Sequence, residues 1–385
     1  MEYFLTEEQV MIRDLARQIA QEKIAPVAAE YDESGEFPWD IMKILADNDF
    51  FRTFIPEEYG GLDMGSMGLV LATEELSRAC GGISLGFAGT ALGTFPILIS
   101  GSDEQKAKYL PDIADGKCLT GFGLTEPNAG SDAGGIQTNA VKDGDDYILN
   151  GTKHFITNGG VAGLYTIIAM TNPAKGARGA SAFIVEKDTP GFSIGKKEDK
   201  MGIRASMTSE LIFEDCRVPA ANLIGREGMG FIVAMKTLDT SRPGVAAQAL
   251  GIAQGAFDHA VKYARERIQF GKPISAFQGT QFKLAEMATR IEAARGLIYA
   301  TAKSQDAGVK DISKESAMSK LYASETAMYV TTEAVQIFGG YGYMKEYPVE
   351  KYMRDAKITQ IYEGTSEIQR DVIGKALIRE AAKGQ

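Results

Sequence analysis

Tyr147-Ile148-Leu149-Asn150-Gly151-Thr152-Lys153-His154-Phe155-Ile156-Thr157-Asn158-Gly159-Gly160 is the stretch on which the fold turns, because it is β-prone sequence set between two long helical regions. Gly144-Asp145-Asp146 ahead of Tyr147–Gly151 reads as a hairpin followed by a tight turn. Strand alternation puts Phe155 and Thr157 on one face, an aromatic ring beside a hydroxyl. Such a pair suits packing on a flat ring and bonding its edge; a Phe buried in a sheet is the commoner use. His154 falls on the other face and reads as a satisfied structural histidine.

Outward from there, Leu164 to Met170 and Ala182 to Val185 are further β-prone runs, with Asn172, Pro173, Lys175 and Gly176 as loop between them. Leu211 to Phe213 is another, closed by Pro219. Up to about residue 115 the period is helical. Thr6 and Gln9 form a capping box ahead of Ile12, Leu15, Ala16, Ile19 and Ala20, and Pro26 interrupts that run. Ser102 and Gln105 repeat the cap before Tyr109-Leu110, and Pro111 follows. After Gly228-Met229-Gly230 the period is helical again, with Leu284, Met287, Ala288 and Ile291 on one face. The reading is α+β, with a helical domain over 1–116, a β domain over 117–228 and a helical domain over 229–385.

The chain has 385 residues, 44% hydrophobic and 24% charged, which is globular composition with room for two or three cores. A net charge of −10 argues against a nucleic-acid or anionic-membrane surface. Cys80, Cys118 and Cys216 are far apart and odd in number, and only His154 and His259 accompany them. No disulfide framework or metal spacing can be built from these, so no metal is expected and a reducing, cytoplasmic compartment is the simple reading. MEYFLTEEQV lacks a basic region followed by an apolar run, so it reads as neither a signal nor a transit peptide. No stretch approaches the roughly 18 uninterrupted apolar residues of a spanning helix. The glycine fingerprints of nicotinamide and nucleotide-triphosphate folds, the nucleophile elbow and the H-E-x-x-H zinc motif are all missing.

Three more segments carry chemistry. Gly121 to Asp132, GFGLTEPNAGSD, combines glycines, hydroxyls and a stiffening proline, which suits a flat polar ligand held by backbone N–H groups or an ordinary surface loop. Arg265 to Ile274, followed by Phe277-Gln278, places Arg267 and Gln269 in a turn between long helices. That turn suits a pyrophosphate clamp, or a solvated turn with its usual charges. Gln336 to Tyr343 is a helix end broken by glycines, and Ile361 to Arg370 contains Glu363 immediately before Gly364-Thr365. The glycine lets backbone approach a ligand; equally, Glu363 is a first-turn glutamate favoured by the helix dipole.

In order along the chain, LTEPNAGSD, NGTKHFITNG, KMGIRAS, ERIQFGKPI, QIFGGYGY and EYPVEKYMRDAKITQIYEGTSEIQR resemble the acyl-CoA dehydrogenase family, from about Phe4 to about Ile378. The wording looks most like bacterial short-chain, butyryl-type members. The resemblance implies an N-terminal helical domain, a middle β-barrel-like domain and a C-terminal four-helix bundle, with noncovalent FAD between the last two and a homotetramer. Phe122, Leu124, Thr125 and Ser131 would line the flavin and acyl-CoA site, with Phe155 and Thr157 flanking the flavin ring. Arg267, Gln269, Phe270, Gln278, Gln336 and Gly340 would reach FAD across a dimer contact, and Thr365 and Glu367 would meet the adenine side. Asp239, Arg242, Ser131 and Gly364 would meet the acyl-CoA, and electrons would pass to an electron-transfer flavoprotein. Glu363 would remove the substrate's α-proton. Three positions depart from common members: Phe155 stands where Trp is frequent and Glu367 where Gln is. Ser241 stands where some branches carry the basic glutamate, and those branches lack the one before Gly-Thr.

Overall fold

The structure, a computed structural model, describes residues 3–383. Its N-terminal part is built from α1 (Glu7–Ile19), α2 (Ala28–Ser34), α3 (Trp39–Asp47), α4 (Gly65–Ala79), α5 (Gly81–Ser100) and α6 (Asp103–Ala114). Both expected capping boxes form: Thr6 and Ser102 accept from the backbones of Gln9 and Gln105, whose side chains reach back to the capping residues. Ile12, Ala16, Ile19 and Ala20 are buried as their spacing implies, while Leu15 is half-buried. The α1 run passes into a π-helical turn, Ala20–Ile24, ahead of Pro26. Pro111 does not stop α6, which carries it internally and ends at Ala114.

The β region comprises β1 (Thr120–Gly123), β2 (Asn139–Asp143), β3 (Asp146–Thr157), β4 (Leu164–Met170), β5 (Ala180–Glu186), β6 (Phe192–Lys197), β7 (Thr208–Pro219) and β8 (Leu223–Ile224). They form one eight-stranded sheet in the order β6-β7-β3-β2-β4-β5-β8, with β1 parallel to β4. The hairpin at Gly144 is present between β2 and β3, and β4 matches the expected run to the residue. The tight turn expected after Gly151 is not there. β3 instead continues to Thr157, absorbing irregularities of register against β7 between Leu149 and Gly151 and between Lys153 and Ile156. Bulges of this kind lengthen a strand while bending it, and they re-aim side chains.

The C-terminal part is α7 (Gly230–Glu266), a short β9 (Ile268–Gln269) and β10 (Lys272–Pro273) hairpin, α8 (Gln278–Asp306), α9 (Ser313–Phe338), α10 (Val349–Ile358) and α11 (Ser366–Lys383). Met287 and Ile291 face the core of α8, with Leu284 and Ala288 half-buried.

Helix α5 corrects one expectation. Gly81 to Ser100 contains no charged residue and is long and apolar enough, by length and composition, to cross a membrane. Here 78% of its most apolar window is buried inside the protein. Its glycines explain the placement. A Cβ on Gly93 would lie 2.7 Å from the Gly121 nitrogen, and one on Gly89 2.7 Å from Cγ2 of Thr157. Only bare glycine lets α5 lie this close to β1 and to the end of β3. That contact fixes the two strand ends that carry Phe122 and Thr157.

Candidate active site

Glu363 sits in the link between α10 and α11 with φ +51°, followed by Gly364 at φ +93°. A left-handed glutamate is uncommon, and such conformations persist where surrounding bonds over-determine them. Gln369, fully buried on α11, donates to the carbonyls of Glu363 (3.1 Å) and Gly364 (2.9 Å). Lys320 on α9, also fully buried, donates to the Gly364 carbonyl at 2.7 Å. The adjacent Tyr362 hydroxyl bonds to Gln248 of α7, which in turn donates to the Gly81 carbonyl (2.8 Å).

Held this way, the Glu363 carboxylate meets the Ser241 hydroxyl of α7, which donates to it through a short hydrogen bond. Positions 241 and 363, the two that the resemblance offers for a basic glutamate, therefore lie side by side in space. Burial pushes the Glu363 carboxyl above its ordinary value, opposed by the Ser241 hydrogen bond and by the positive charges of Arg242 and Lys320. Arg242 is 4% exposed and bonds to Asp239 at 2.6 Å, and Asp239 in turn accepts from Ser313 at 3.1 Å. The Arg242 Nε is buried without a partner among the described residues. The Glu363 backbone N–H likewise carries no hydrogen bond within the described chain.

On the β side, Phe122 on β1 is half-buried and Leu124 buried, and the Thr125 carbonyl accepts from the His154 N–H (2.8 Å). Ser131 is exposed in the loop beyond. Phe155 and Thr157 do not follow simple alternation. Phe155 lies in the bulge at φ +59°, 61% exposed, while Thr157 is half-buried. The same twist brings the His154 ring edge-on to Phe155, centroids 3.9 Å apart, instead of onto the opposite face. His154 lies between two carboxylates, Nδ1 3.1 Å from Glu210 and Nε2 3.3 Å from Glu198. This trio is the one group among the described residues whose potential metal-ligand atoms lie within 4.8 Å of one another, which the cysteine and histidine spacing did not reveal. The three cysteines are free.

A second group gathers elsewhere on the chain. Arg267, Gln269 and Gly340 line one open cleft of about 420 Å³, together with Tyr263 and Phe338, whose rings stack at 4.0 Å. Added Cβ atoms on Gly339 or Gly340 would meet nothing within 4 Å, so bare backbone faces open space there. A guanidinium beside exposed glycine backbone suits a pyrophosphate. Phe270 projects from the β9–β10 turn, 93% exposed at φ +51°; Gln278, which opens α8, and Gln336, in the last turn of α9, are also exposed. Thr365 caps α11 by accepting from the Ile368 N–H (3.3 Å), and Glu367 is exposed. Neither Glu363 nor Phe155 lines this cleft, so one chain holds two separate groups of site residues.

Models of the acyl-CoA dehydrogenase N-terminal, middle and C-terminal domains match residues 6–117, 121–216 and 228–378. This chain belongs to the acyl-CoA dehydrogenase family. A short-chain-specific acyl-CoA dehydrogenase of Clostridium acetobutylicum is 51% identical over 98% of this chain and 100% of its own length. An NADH-dependent acryloyl-CoA reductase of Anaerotignum propionicum is 52% identical over 98% of this chain and 96% of its own. A chain solved in a structural study of the electron transferring flavoprotein of Acidaminococcus fermentans superposes with TM-score 0.96 at 52% identity, covering 98% of this chain and 100% of that one. The acyl-CoA dehydrogenase fold, with its helical, β and helical domains in that order, is the one described above, and the chain is an FAD-dependent oxidoreductase. The cleft at Arg267 and Gly340 and the exposed Phe155 are both compatible with so large a dinucleotide.

Two pieces of the site had no sequence signal. Lys320 sits in an ordinary helical stretch, and Lys153 in a strand, yet neither has any exposed surface. Lys153 donates to Glu126 at 2.6 Å and to the Leu124 carbonyl at 3.1 Å, tying β3 to the loop that carries Leu124 and Thr125.

Proposed function

We propose that this enzyme oxidises a short-chain acyl-CoA to the trans-2-enoyl-CoA, with Glu363 as the base for the α-proton. The observation that supports this best is the Glu363 carboxylate, inverted at φ +51° and raised above its ordinary value by burial. A carboxylate whose value is raised by its surroundings is a stronger base than a fully exposed one. The substrate's α-proton is weakly acidic, so the thioester oxygen needs donors as it gains charge. The free Glu363 N–H supplies one from the same residue that takes the proton. Ser241 donates to the carboxylate, and its hydrogen bond and the Arg242 charge both oppose the upward push of burial. Asp239 and Arg242, with Ser131 and Gly364, are assigned to the acyl-CoA.

FAD, when bound, supplies the acceptor for the β-hydride and a second donor to the thioester oxygen. Phe122, Leu124, Thr125, Ser131, Phe155 and Thr157 would hold its ring. Arg267, Gln269, Phe270, Gln278, Gln336 and Gly340 of a neighbouring subunit would hold its pyrophosphate side, with Thr365 and Glu367 toward the adenine. That division accounts for two separate groups on one chain and needs a second subunit; the homotetramer is taken as the working assembly from the family resemblance. Arg267→Ala is therefore expected to lose FAD on gel filtration or to weaken assembly. Full flavin content with unchanged mass would remove that role.

An electron-transfer flavoprotein is the electron acceptor we assign, supported by the similarity to the chain solved with interest in such a protein. The short-chain preference draws on the Clostridium relative. A second reading, reduction of a short enoyl thioester, is favoured by the acryloyl-CoA reductase relative. Anaerobic titration with a panel of acyl-CoAs separates them: bleaching of the oxidised flavin by a saturated short chain supports oxidation. Reoxidation of the reduced enzyme by enoyl-CoA, without bleaching by any saturated thioester, supports reduction.

The pH dependence has a definite sign. A base acts only when ionised, so kcat/KM should fall as pH drops through the Glu363 value, which lies above the ordinary 4.5. A profile flat down to pH 4.5 would contradict the burial argument.

A further inference from the structure

Lys320 lies on α9 with no exposed surface. Burying an ammonium is costly unless its charge is balanced and its protons find acceptors. Among the described residues its one hydrogen bond runs to the Gly364 carbonyl, 2.7 Å away, and it makes no salt bridge. Arg242, the other buried cation beside Glu363, differs on this point: Asp239 balances it at 2.6 Å. The Lys320 charge is thus the one left facing Glu363 without a carboxylate of its own.

Its hydrogen bond is also informative. Gly364 follows Glu363, and both residues are left-handed. The inverted pair is gripped from two helices, by Lys320 of α9 and by Gln369 of α11. A Cβ on Gly364 would lie 2.7 Å from the Gln369 amide nitrogen, so the grip leaves no slack on that side.

We infer that Lys320 is a positioning residue for the reaction: its ammonium fixes the Glu363-Gly364 turn and keeps the Glu363 carboxylate ionised between turnovers. This rests on Glu363 being the base. The charged groups around the pair are few. Lys320 is faced by Glu363, by Arg242 of α7, by Glu325 of its own helix and by Glu367 of α11. Glu363 is faced by Arg242 and Lys320, and accepts from Ser241. Burial pulls the Lys320 ammonium down to about 8, with Glu363 pulling it back up, so it stays charged at neutral pH. A cation removed from beside a carboxylate lets that carboxyl rise further.

Two substitutions separate the two parts of the role. Lys320→Gln keeps an amide donor for the Gly364 carbonyl and removes the charge; Lys320→Met removes both. The rate of flavin reduction by butyryl-CoA would be followed anaerobically from pH 5 to 9 in FAD-loaded protein. In Lys320→Gln the acid limb should move up by about one pH unit, with the rate recovering toward wild type at high pH. Lys320→Met should show the same shift and a lower plateau. A limb at the wild-type position in Lys320→Gln, with full FAD content, overturns the inference, and Lys320→Gln decides alone if Lys320→Met does not fold. Glu363→Gln serves as the control. If it reduces normally, the base assignment itself fails; if it is dead while the Lys320→Gln limb stays put, only the role of Lys320 is lost.

Discussion

Glu363→Gln should retain FAD and bind acyl-CoA yet reduce its flavin about 10³–10⁴-fold more slowly than wild type, near the upper range for loss of a general base. That factor corresponds to roughly 4–5.5 kcal/mol of barrier. Glutamine is nearly isosteric, so it can still accept from Ser241, and the Gln369 and Lys320 bonds to the main chain at 363 and 364 do not involve the altered atoms. The turn should therefore survive and the backbone N–H at 363 should still face the thioester oxygen. Binding would be retained while proton transfer is lost, so the deficit should appear in the reduction rate and not in the dissociation constant. Rapid-mixing absorbance of the flavin measures the first, and the spectral shift on mixing with acyl-CoA the second. A near wild-type reduction rate would show that another group takes the proton. With 241 and 363 side by side, Ser241→Glu in the Glu363→Gln background gives a further readout: partial recovery would mean that one point in space, not one position in the chain, is what the chemistry needs.

That proximity marks the limit of what the sequence could tell. Local features were legible wherever the signal was local. The capping boxes at Thr6 and Ser102, the hairpin at Gly144 and the strand from Leu164 to Met170 each depend on a few neighbouring residues. The long helices were legible from their period, and the order of the three regions from the change in that period. The site was not legible in the same way. Strand alternation misplaced Phe155 and His154 because a bulge in β3 puts Phe155 at φ +59°, and nothing in Lys153-His154-Phe155-Ile156 announces a bulge. Glu363 stood out only through its glycine neighbour and the family resemblance. Its burial, its left-handed backbone and its partners come from α7, α9 and α11, separated from it by up to 122 positions. The uncharged Gly81 to Ser100 run does not stand out in the sequence, because its serines, threonines and glycines interrupt any purely apolar count. Those same glycines are what let it pack inside.

Lys153→Met should produce the largest loss of stability, about 3–5 kcal/mol, the usual cost of removing one partner from a buried ion pair. Lys153 has no exposed surface and Glu126 is 7% exposed. Glu126 also accepts from the backbones of Gln137 (2.6 Å) and Thr138 (3.0 Å), so the pair pins the whole turn between β1 and β2. Burial alone would raise the Glu126 carboxyl, but Lys153 and these donors hold it below its ordinary value. In Lys153→Met those two donors remain, yet the carboxylate's charge is left without its counter-ion, and the Leu124 carbonyl loses its donor. The loop bearing Leu124 and Thr125 should loosen, so FAD retention should fall along with the unfolding midpoint. Glu126→Gln is the informative companion. Burial already pulls the Lys153 ammonium down to about 8, and without Glu126 it would fall further. The folded state then sheds a proton that the unfolded chain keeps, and stability rises with pH wherever the unfolded state binds more protons. The Glu126→Gln deficit relative to wild type should therefore narrow as pH rises to about 8, where wild-type Lys153 releases its own proton, and stay level above. The Lys153→Met deficit has no such lysine to titrate and should not narrow up to about pH 8; above that it should widen, because the wild type gains stability as its own Lys153 releases a proton. Denaturant unfolding of the FAD-loaded variants at pH 6, 7 and 9 reads both curves. Parallel behaviour of the two variants, or a Lys153→Met cost below about 1 kcal/mol, which is surface-pair size, would mean that the pair is not what holds the loop.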